Sequence, residues 1–468
     1  MGVLVILLVG QAMASMDEEI LVIAAPNLRS DLHASSAELQ LVLAMYIVAF
    51  AALVVTGARL GDVIGRRRAF LLGLGGFTAS SLAGGLAPTA AALIGIRALQ
   101  GASAAVMTPQ VLSIIQLRFD GETRARAIGA YSMVLAAGVA AGQVLGGVIV
   151  SVTAAWRPAL LLNVPIGAAL LPVALRRLPD VRRGARRRLD LAGALLLAAA
   201  LVGLVVPLSL GRDTGWPPWT WACSAGCIAA FFAFVGREQS LGRRGRDPLF
   251  DLGVMRRPGI AAGVVAVTLV MAGYAGFLVA LTLHLQTGLH FSPLVTGLIF
   301  TAYAAGFAVA SLTWTRARAP TQARLPTLGP LAMGVGLVAV GAVGAGGGWP
   351  AAVTTPLLFC AGAGNAWAFS PLANRLTSVV DAAQAADVSG LIITASLVGQ
   401  VLGVAAFVDV YFAALPHGSA DALALTTGVL AAALIPATVC ASNASRRRRF
   451  TSPGLDRVRT ARITPRRR

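Results

Sequence analysis

Lysine is absent from this chain of 468 residues, so each of its 38 basic residues is an arginine. A P-loop needs a lysine that contacts the terminal phosphates of a nucleotide, and a Schiff-base enzyme needs a lysine amine. The absence of lysine therefore excludes ATP hydrolysis by a P-loop and covalent catalysis through a lysine imine.

Cysteine and histidine are scarce, with four residues of each type. The cysteines are Cys223, Cys227, Cys360 and Cys440, and the histidines are His33, His284, His290 and His417. All four cysteines lie in apolar runs, where Cys behaves as a small hydrophobic residue, and the scattered histidines form no HExxH motif. We therefore expect no disulfide framework, no metal, no cofactor and no enzymatic activity.

Charged residues are also few, at 12% of the chain, whereas a soluble domain contains about 25%. Hydrophobic residues make up 57% of the sequence, and the mean hydropathy is +0.78. Apolar runs of about 20 residues recur along the chain, and a helix of that length crosses a bilayer core of about 30 Å. The sequence predicts an all-α polytopic membrane protein surrounded by lipid.

The net charge of +19 is distributed along the connections between apolar runs and in the C-terminal tail. Nucleic-acid binding would instead require a basic patch on a soluble fold, so we expect no nucleic-acid partner. The arginine runs at 182–188, 446–449 and 466–468 are interpreted as topological anchors that contact lipid headgroups.

Fourteen transmembrane spans are predicted, an even number that places both termini on one side. Their approximate bounds are 2–26, 40–60, 69–86, 89–112, 128–150, 159–175, 191–209, 219–235, 259–283, 294–315, 326–345, 351–373, 388–413 and 421–442. The first span is expected to be a retained helix, because it lacks the positive start of a signal peptide. One side holds only Arg29, Arg157 and Arg212, so the positive-inside rule predicts cytoplasmic termini in the plasma membrane.

The pentapeptide GQVLG occurs twice, at 142–146 in the fifth span and at 399–403 in the thirteenth. Matching these spans divides the chain into two halves related by a parallel duplication, an arrangement known in transporters. The predicted domains are a six-helix bundle at 1–180, a linker with two inserted helices at 181–250, a second six-helix bundle at 251–445 and a basic, disordered tail at 446–468.

The stretch GARLGDVIGRRR at 57–68 joins the second and third spans on the predicted cytoplasmic side. It resembles the cytoplasmic-loop motif of the major facilitator superfamily, which implies two six-helix bundles, here with two inserted helices. In that family the acid and the arginine that match Asp62 and Arg66 help to lock the two halves together. The resemblance implies a cytoplasmic gate formed by Gly61, Asp62, Gly65, Arg66 and Arg67.

Further motifs in the first half resemble those of the fourteen-helix drug/proton antiporters. Arg97 and Gln100 match an intramembrane arginine motif, and Met16 and Asp17 match the acidic motif of span 1. The glycine-rich motif associated with proton antiporters is matched by Gly138, Gly142, Gly146 and Gly147. The resemblance implies a transporter that couples export to protons.

The sequence departs from the family pattern at several positions of these motifs. Gln143 stands where the span 5 motif has proline, and Glu19 and Val22 stand where span 1 usually has Thr and Asn. These departures bear on the coupling mechanism and on the substrate class.

Asp17 and Arg97 are predicted to lie at equal depth, because Asp17 precedes Pro26 by nine residues and Arg97 follows Pro88 by nine. Ionisable groups at that depth are costly unless they are paired or hydrated, so their default interpretation is functional. Proton coupling is predicted for Asp17, Glu18, Glu19 and Arg97, since three adjacent acids exceed what one arginine needs. The alternative is a permanent structural ion pair.

Three glutamines are candidates for lining a substrate cavity between the halves, namely Gln100, Gln143 and Gln400. Interhelical hydrogen bonding is the alternative role for such residues.

Together these patterns predict a monomeric, proton-coupled exporter of small hydrophobic or amphipathic compounds that works by alternating access. A dedicated exporter of a metabolite or natural product would share every motif. A membrane enzyme or receptor is the remote alternative, because no catalytic constellation and no large soluble domain are visible.

Overall fold

The computed structural model describes residues 2–179, 190–211, 214–244, 248–250, 252–378, 380 and 382–446. Within these residues the chain consists of helices and short connections, and no strand occurs among them. The predictions for the arginine run at 182–188 and for the tail beyond Arg446 concern residues outside this set.

Fifteen α-helices follow one another along the described residues. They are α1 (Gly2–Asp31), α2 (Ser36–Ile64), α3 (Arg66–Gly85), α4 (Ala90–Arg118), α5 (Gly121–Thr153), α6 (Arg157–Leu161), α7 (Asn163–Arg177), α8 (Leu191–Leu210), α9 (Pro218–Arg243), α10 (Ile260–Leu283), α11 (Pro293–Thr313), α12 (Ala319–Gly344), α13 (Ala351–Ser378), α14 (Ala382–Ala414) and α15 (Ser419–Arg446).

Several predicted boundaries differ from the structure, and two of the differences have a local cause. The first span was expected to end at Pro26, but α1 continues through this proline to Asp31. Neighbouring helices tolerate an internal proline in a membrane helix, because they help to satisfy the freed backbone groups. The predicted span at 159–175 is divided at Leu162 into the short α6 and the longer α7.

Eleven stretches of the described chain are long and apolar enough to cross a membrane, with α6 and α7 counted as one of them. Helices α1, α3 and α13 contain 30, 20 and 28 residues but lie outside this group. In α1 the acidic residues at 17–19 account for this, since they interrupt an otherwise apolar helix. The chain is thus an all-helical, multi-pass membrane protein. The count of fourteen spans stays a prediction.

The short connections reverse the chain, so the helices alternate in direction. We call the end where α1 begins and α15 ends the proximal end, and the end where α1 meets α2 the distal end. The turn into α2 is fixed by a capping box, in which Ser35 and Glu38 bond to each other's backbone N–H. Trp156 and Arg157, which follow α5, both donate to Asp31 at the end of α1. The distal connections are therefore tied together by side-chain bonds.

Packing divides the helices into two groups that meet mainly along two helix pairs, with smaller contacts made by α1. In the first group α1 packs on α5, and α4 packs on α2 and α3. In the second group α10 packs on α14, and α12 packs on α13 and α15. The groups meet where α2 contacts α14 and where α5 contacts α11, while α8 and α9 pair with each other and α8 rests against α2 and α14. These seams position the polar residues described next.

Candidate functional site

A buried polar network surrounds Asp17 near the middle of α1. Its carboxylate accepts hydrogen bonds from Arg97 Nη1 at 2.5 Å, from Gln100 Nε2 at 2.8 Å and from Asn163 Nδ2 at 2.7 Å. The Arg97 guanidinium also lies over the Tyr46 ring, 4.4 Å from its centroid. Tyr46 and the three hydrogen-bond partners of Asp17 lie on α2, α4 and α7, and α7 packs on α1 and α3 of the first group. The structure therefore brings Asp17 and Arg97 together as a buried ion pair inside one half of the molecule.

Gln100 completes this network and does not line a cavity here. Its side chain is fully buried, accepts a bond from Arg97 at 2.7 Å and donates to Ser81 at 2.8 Å as well as to Asp17. The amide thus links α1, α3 and α4, which is the interhelical role that the sequence left as its alternative.

Glu19 belongs to a different environment, because its carboxylate faces the second group of helices. Tyr274 on α10 donates its hydroxyl to Glu19 Oε1 at 2.6 Å, and Gln143 on α5 donates to Oε2 at 3.3 Å. Glu19 is 3% exposed and Gln143 is 2% exposed, so both are buried at the junction of the halves. Gln143 therefore does not line an open cavity, whereas Glu18 and Gln400 are half-buried.

A cluster of two tyrosines and an asparagine in the second half holds the Tyr274 ring that contacts Glu19. The Tyr274 ring stacks on the Tyr303 ring with centroids 5.8 Å apart, and Asn365 Nδ2 donates to the Tyr303 hydroxyl at 3.0 Å. The residues are contributed by α10, α11 and α13. The second half thus offers the neutral Tyr274 hydroxyl to the carboxylate of the first half, and Tyr303 and Asn365 support it from behind.

The glycines of α5 form a close seam against α1. A Cβ added at Gly142 would lie 2.6 Å from the Met16 carbonyl oxygen and 3.0 Å from the Glu19 Cβ, and one at Gly146 would lie 3.0 Å from the Ile20 carbonyl oxygen. Such distances leave no room for a side chain, so glycine permits the two backbones to touch. This seam sets the position of Glu19 relative to Gln143.

The second GQVLG copy forms the corresponding seam in the other half. A Cβ at Gly399 of α14 would lie 3.0 Å from the Met271 Cβ of α10 and would collide with the Thr268 carbonyl, while one at Gly403 would collide with the Ala272 carbonyl. Each copy thus packs its two glycines on carbonyls four residues apart on the first helix of its own half. This matching geometry supports an internal duplication.

Several contacts close the distal end between the halves. Ser151 Oγ on α5 accepts from the Leu294 backbone N–H at 3.0 Å, and Gln286 donates to the Ile23 carbonyl at 2.9 Å. A Cβ at Gly147 would lie 2.8 Å from the Leu294 Cα, so α5 and α11 meet backbone to backbone. A groove of about 440 Å³ lies above this contact, with Asn27, Ser151 and Gln286 in its lining.

The predicted gate motif lies at the proximal end, at the turn from α2 to α3. Gly65 adopts φ 95° and thereby ends one helix and begins the next. Asp62 pairs with Arg66 at 2.5 Å, Arg67 donates to the Leu175 carbonyl, and Gly61 packs against the side chain of Gln110. The role of Asp62 and Arg66 in locking the two halves together stays a prediction.

Several site residues carry no distinguishing pattern in the sequence, among them Asn163, Tyr274 and Ser81. Arg59 was also passed over, although it is 5% exposed and donates to the Pro248 carbonyl in the segment that follows α9. An isolated polar residue within an apolar helix is the signal that would have identified the first two, since such residues face the bundle interior.

Comparison with known families identifies the chain's relatives. Residues 7–404 match the family described as Major Facilitator Superfamily. The chain is 32% identical to a probable actinorhodin transporter of Streptomyces coelicolor, over 87% of this chain and 72% of that protein. It is 36% identical to the cephamycin export protein CmcT of Amycolatopsis lactamdurans, over 84% and 81%. It is 30% identical to the multidrug resistance protein Stp of Mycobacterium tuberculosis, over 85% and 73%.

Solved structures share the fold at low sequence identity. A bacterial homolog of the human lysosomal transporter Spinster, in an inward-facing and occupied conformation, superposes with a TM-score of 0.70 at 17% identity, over 97% of this chain and 98% of that one. A POT family transporter in complex with a thioalcohol-conjugated peptide gives 0.68 at 15% identity, over 95% and 96%. These similarities establish the fold alone.

Proposed function

We propose, because the chain belongs to the Major Facilitator Superfamily, that it exports small hydrophobic or amphipathic compounds across the plasma membrane in exchange for protons. The chain is a multi-pass membrane transporter and not an enzyme. The two groups of helices would rock about the α2/α14 and α5/α11 pairs, so that a site between them faces each side in turn. The N- and C-termini lie in the cytoplasm in this proposal, and α1, α3 and α13 cross the bilayer with the eleven apolar stretches, giving fourteen spans.

The observation that carries proton coupling is the concentration of buried acids in α1. Asp17 is fully buried in an ion pair with Arg97, and Glu19 is 3% exposed. A carboxylate buried in a membrane protein costs folding free energy, so its presence indicates a function. In transporters such groups form proton relays. Asp17 and Arg97, with Glu18 and Glu19 beside them, are therefore the proposed coupling residues, while Asp62 and Arg66 are proposed to steady the proximal gate.

The distal groove lies on the exit path of the proposed export. It opens between the halves above the closed contact of α5 with α11, where a released compound would leave. Each unit charge that moves down the membrane potential provides about 2.3 kcal/mol per 100 mV, which is enough to drive a modest concentration gradient.

A dedicated exporter of a natural product is the second candidate. It is favoured by the names of two relatives, which refer to actinorhodin and to cephamycin export. Both candidates share the coupling residues, and they differ only in the range of compounds carried.

The test begins with a pump-deficient bacterium that expresses the chain and is challenged with a panel of toxic compounds that includes polyketide and β-lactam antibiotics. Resistance to chemically unrelated compounds supports a multidrug exporter, whereas resistance confined to one class supports the dedicated exporter. Everted vesicles then measure accumulation of a protective compound against its gradient. Unchanged sensitivity to every compound, with the protein present in the membrane, would contradict export.

The coupling role is tested in the same vesicles with Asp17→Asn. This variant should lose uphill accumulation, because the proton gradient is no longer linked to the site, yet it should still equilibrate the compound downhill. Uphill accumulation with unchanged pH dependence would show that Asp17 and Arg97 form a structural pair only.

A further inference from the structure

We propose that Glu19 and Tyr274 form a latch between the two halves, and that the ionised latch holds the substrate-free transporter closed at its distal end and so prevents proton leak. The inference rests on the proposed function and names a second acid with a task distinct from that of Asp17. In this proposal Tyr274 is a positioning residue, because it acts through the carboxylate of Glu19.

The first argument is the location of the two acids' partners. Asp17 accepts from Arg97, Gln100 and Asn163, all within the first half, so a change in its charge has no direct contact with the second half. Glu19 accepts from Tyr274 on α10 at 2.6 Å, and this bond crosses between the halves. A change in the charge of Glu19 therefore acts directly on their association.

The second argument is the lack of a cation at Glu19. Among the described residues Asp17 has an ion-pair partner in Arg97, whereas the hydrogen bonds of Glu19 come from a phenol and an amide. The titratable groups that interact with Glu19 or with its neighbours Asp17 and Glu18 are Tyr46 on α2, Arg97 on α4, Tyr274 on α10 and Tyr303 on α11. Arg97 is already paired with Asp17, so the ionised Glu19 depends on the Tyr274 hydroxyl for its stabilisation.

The third argument is what a proton does to this bond. The ionised carboxylate accepts the phenol O–H in a charge-assisted hydrogen bond, which is roughly twice as strong as a neutral one. A proton bound to Glu19 removes the charge and leaves a neutral bond or none. The latch is thus strong when Glu19 is ionised and weak when Glu19 is protonated.

The conformation of the chain fixes which state the latch stabilises. The Tyr274 bond is formed together with the distal contacts of Ser151 with Leu294 and of Gln286 with Ile23. An ionised carrier without substrate is therefore held distal-closed. A proton leak requires this same empty, ionised carrier to return to the distal-open state, so the latch blocks that step. A substrate that offers Glu19 a hydrogen-bond donor or a positive charge would replace Tyr274 and release the carrier.

The test uses the full chain in proteoliposomes without any substrate and follows proton entry with an internal pH dye under an imposed potential. Tyr274→Phe removes only the hydroxyl and should increase the leak about 10-fold, the effect of losing one hydrogen bond to a charged group. Tyr303→Phe is the matched control, because it removes a phenol from the same stacked pair without touching the Glu19 bond. It should leak like the wild type.

The variant Glu19→Gln tests whether the charge of the carboxylate holds the latch. It leaves only a neutral bond to Tyr274 while Asp17 can still carry protons, so it should leak about as much as Tyr274→Phe, and the double variant should leak no more than either single variant because both changes break the same bond. A Glu19→Gln variant that leaks like the wild type would show that the ionised carboxylate does not hold the distal end closed and would overturn the proposal. Equal leak in Tyr274→Phe and Tyr303→Phe would overturn it as well.

A distance measurement separates failure of the latch from failure of the proposed function. Spin labels at Leu86 and Gly348, exposed at the distal connections of opposite halves, report distal opening in lipid nanodiscs. The wild type should open more as pH falls from about 9 to about 5, a range that brackets carboxyl titration in proteins. Tyr274→Phe should already be open at the higher pH, and Glu19→Gln should not respond to pH.

The two readouts separate the outcomes. If the wild type exports compounds against a gradient while Tyr274→Phe stays as closed as Tyr303→Phe, only the latch is wrong. If Tyr274→Phe opens the distal end but no compound is exported by the wild type, the latch stands and the proposed function is wrong. Labelled variants carry alanine at the four native cysteines, none of which is fully buried.

Discussion

The seam between α1 and α5 and the seam between α10 and α14 have the same backbone packing but opposite chemistry. In both, glycines of a GQVLG segment lie on carbonyls four residues apart, at Met16 and Ile20 in one and at Thr268 and Ala272 in the other. This shared register places Leu269, Val270 and Met271 of α10 at the positions of Asp17, Glu18 and Glu19 of α1. At these matched positions the acids therefore occur on α1 only.

The seams of α4 and α13 show the same division. Gly101 of α4 lies on the Tyr46 carbonyl, and Gly362 of α13 lies on the Tyr303 carbonyl. In this register Leu358 takes the place of Arg97, and Ala361 takes the place of Gln100. The comparison teaches that glycine spacing specifies the shared helix packing, while ion chemistry depends on a few side chains that only one copy carries. The second copy contributes neutral partners such as Tyr274 instead.

The largest loss of stability is expected when a charged residue of the first half is replaced by the apolar residue that occupies the matching position in the second half. Arg97→Leu leaves the Asp17 carboxylate buried without its counter-charge and should destabilise the protein by about 3 to 5 kcal/mol. Thermal unfolding in detergent measures this loss.

The double variant Arg97→Leu with Asp17→Leu is its matched control, because it copies the chemistry of the second half at both positions. It should regain much of the stability yet show no uphill export. A single Arg97→Leu variant as stable as the wild type would mean that the ion pair is not needed to hold the half together.

The two glycine seams should respond alike to overpacking. Gly142→Ala and Gly399→Ala each force a methyl group against a backbone carbonyl, and each should destabilise the protein by about 1 to 3 kcal/mol in thermal unfolding. Gly129→Ala, where a Cβ meets nothing within 4 Å, is the control and should not destabilise. Tolerance at Gly399 with sensitivity at Gly142 would break the structural equivalence of the seams.

The proximal connections offer a further contrast. The connection between α11 and α12 in the second half contains arginines but no acid, whereas the connection between α2 and α3 in the first half follows Asp62. Asp62→Asn removes the charge that Arg66 contacts at 2.5 Å. Transport should fall at least about fivefold, the lower range of coupling between a gate and a site. Immunodetection in membranes controls for expression, and full transport would reduce the motif to a turn with anchors.

The smallest loss of stability is expected at α8 and α9, the two helices predicted to be inserted between the halves. Burial of Asp190, which precedes α8, opposes its ionisation, but bonds from Arg237 and the Gly193 N–H outweigh this and hold the pKa of Asp190 below its usual range. A lowered folded-state pKa adds stability above the unfolded-state pKa, and this stability is lost as pH falls.

Asp190→Asn keeps the helix cap and removes only the charge. Because Arg237 is partly exposed, the variant should lose only about 1 kcal/mol near pH 7. The difference from the wild type should fade below about pH 4, as followed by thermal unfolding at each pH. An equal difference at both pH values would assign the loss to packing.

The fold was predictable because its main determinants are local in the sequence. Apolar runs marked the helices, and the stretch at 57–68 together with Arg97 and Gln100 indicated the family that the comparisons confirm. Helix ends were predicted less well, because α1 passes through Pro26 and α6 separates from α7 within one apolar run. Tertiary contacts decide those points, and hydropathy does not report them.

The candidate site was predictable in part for a related reason. Acids in an apolar helix are conspicuous, so Asp17 and Glu19 could be named from the sequence. Their division of roles was not predictable, because it depends on which neighbour each carboxylate meets. Asn163 and Tyr274 are 146 and 255 residues away from their acids in sequence, and only the folded chain brings them together.

The reciprocal glycine contacts of α5 and α11 also affect the entropy of conformational exchange. Gly147 lies against Leu294 and Gly297 lies against the Gln143 carbonyl, so at both points one partner has no side chain to immobilise. Separating the helices there releases no rotamer freedom from glycine, whereas an ordinary side chain would gain up to about 2 kcal/mol of entropy. Opening this seam should therefore gain little side-chain entropy, so its glycines add little entropic bias towards the distal-open state.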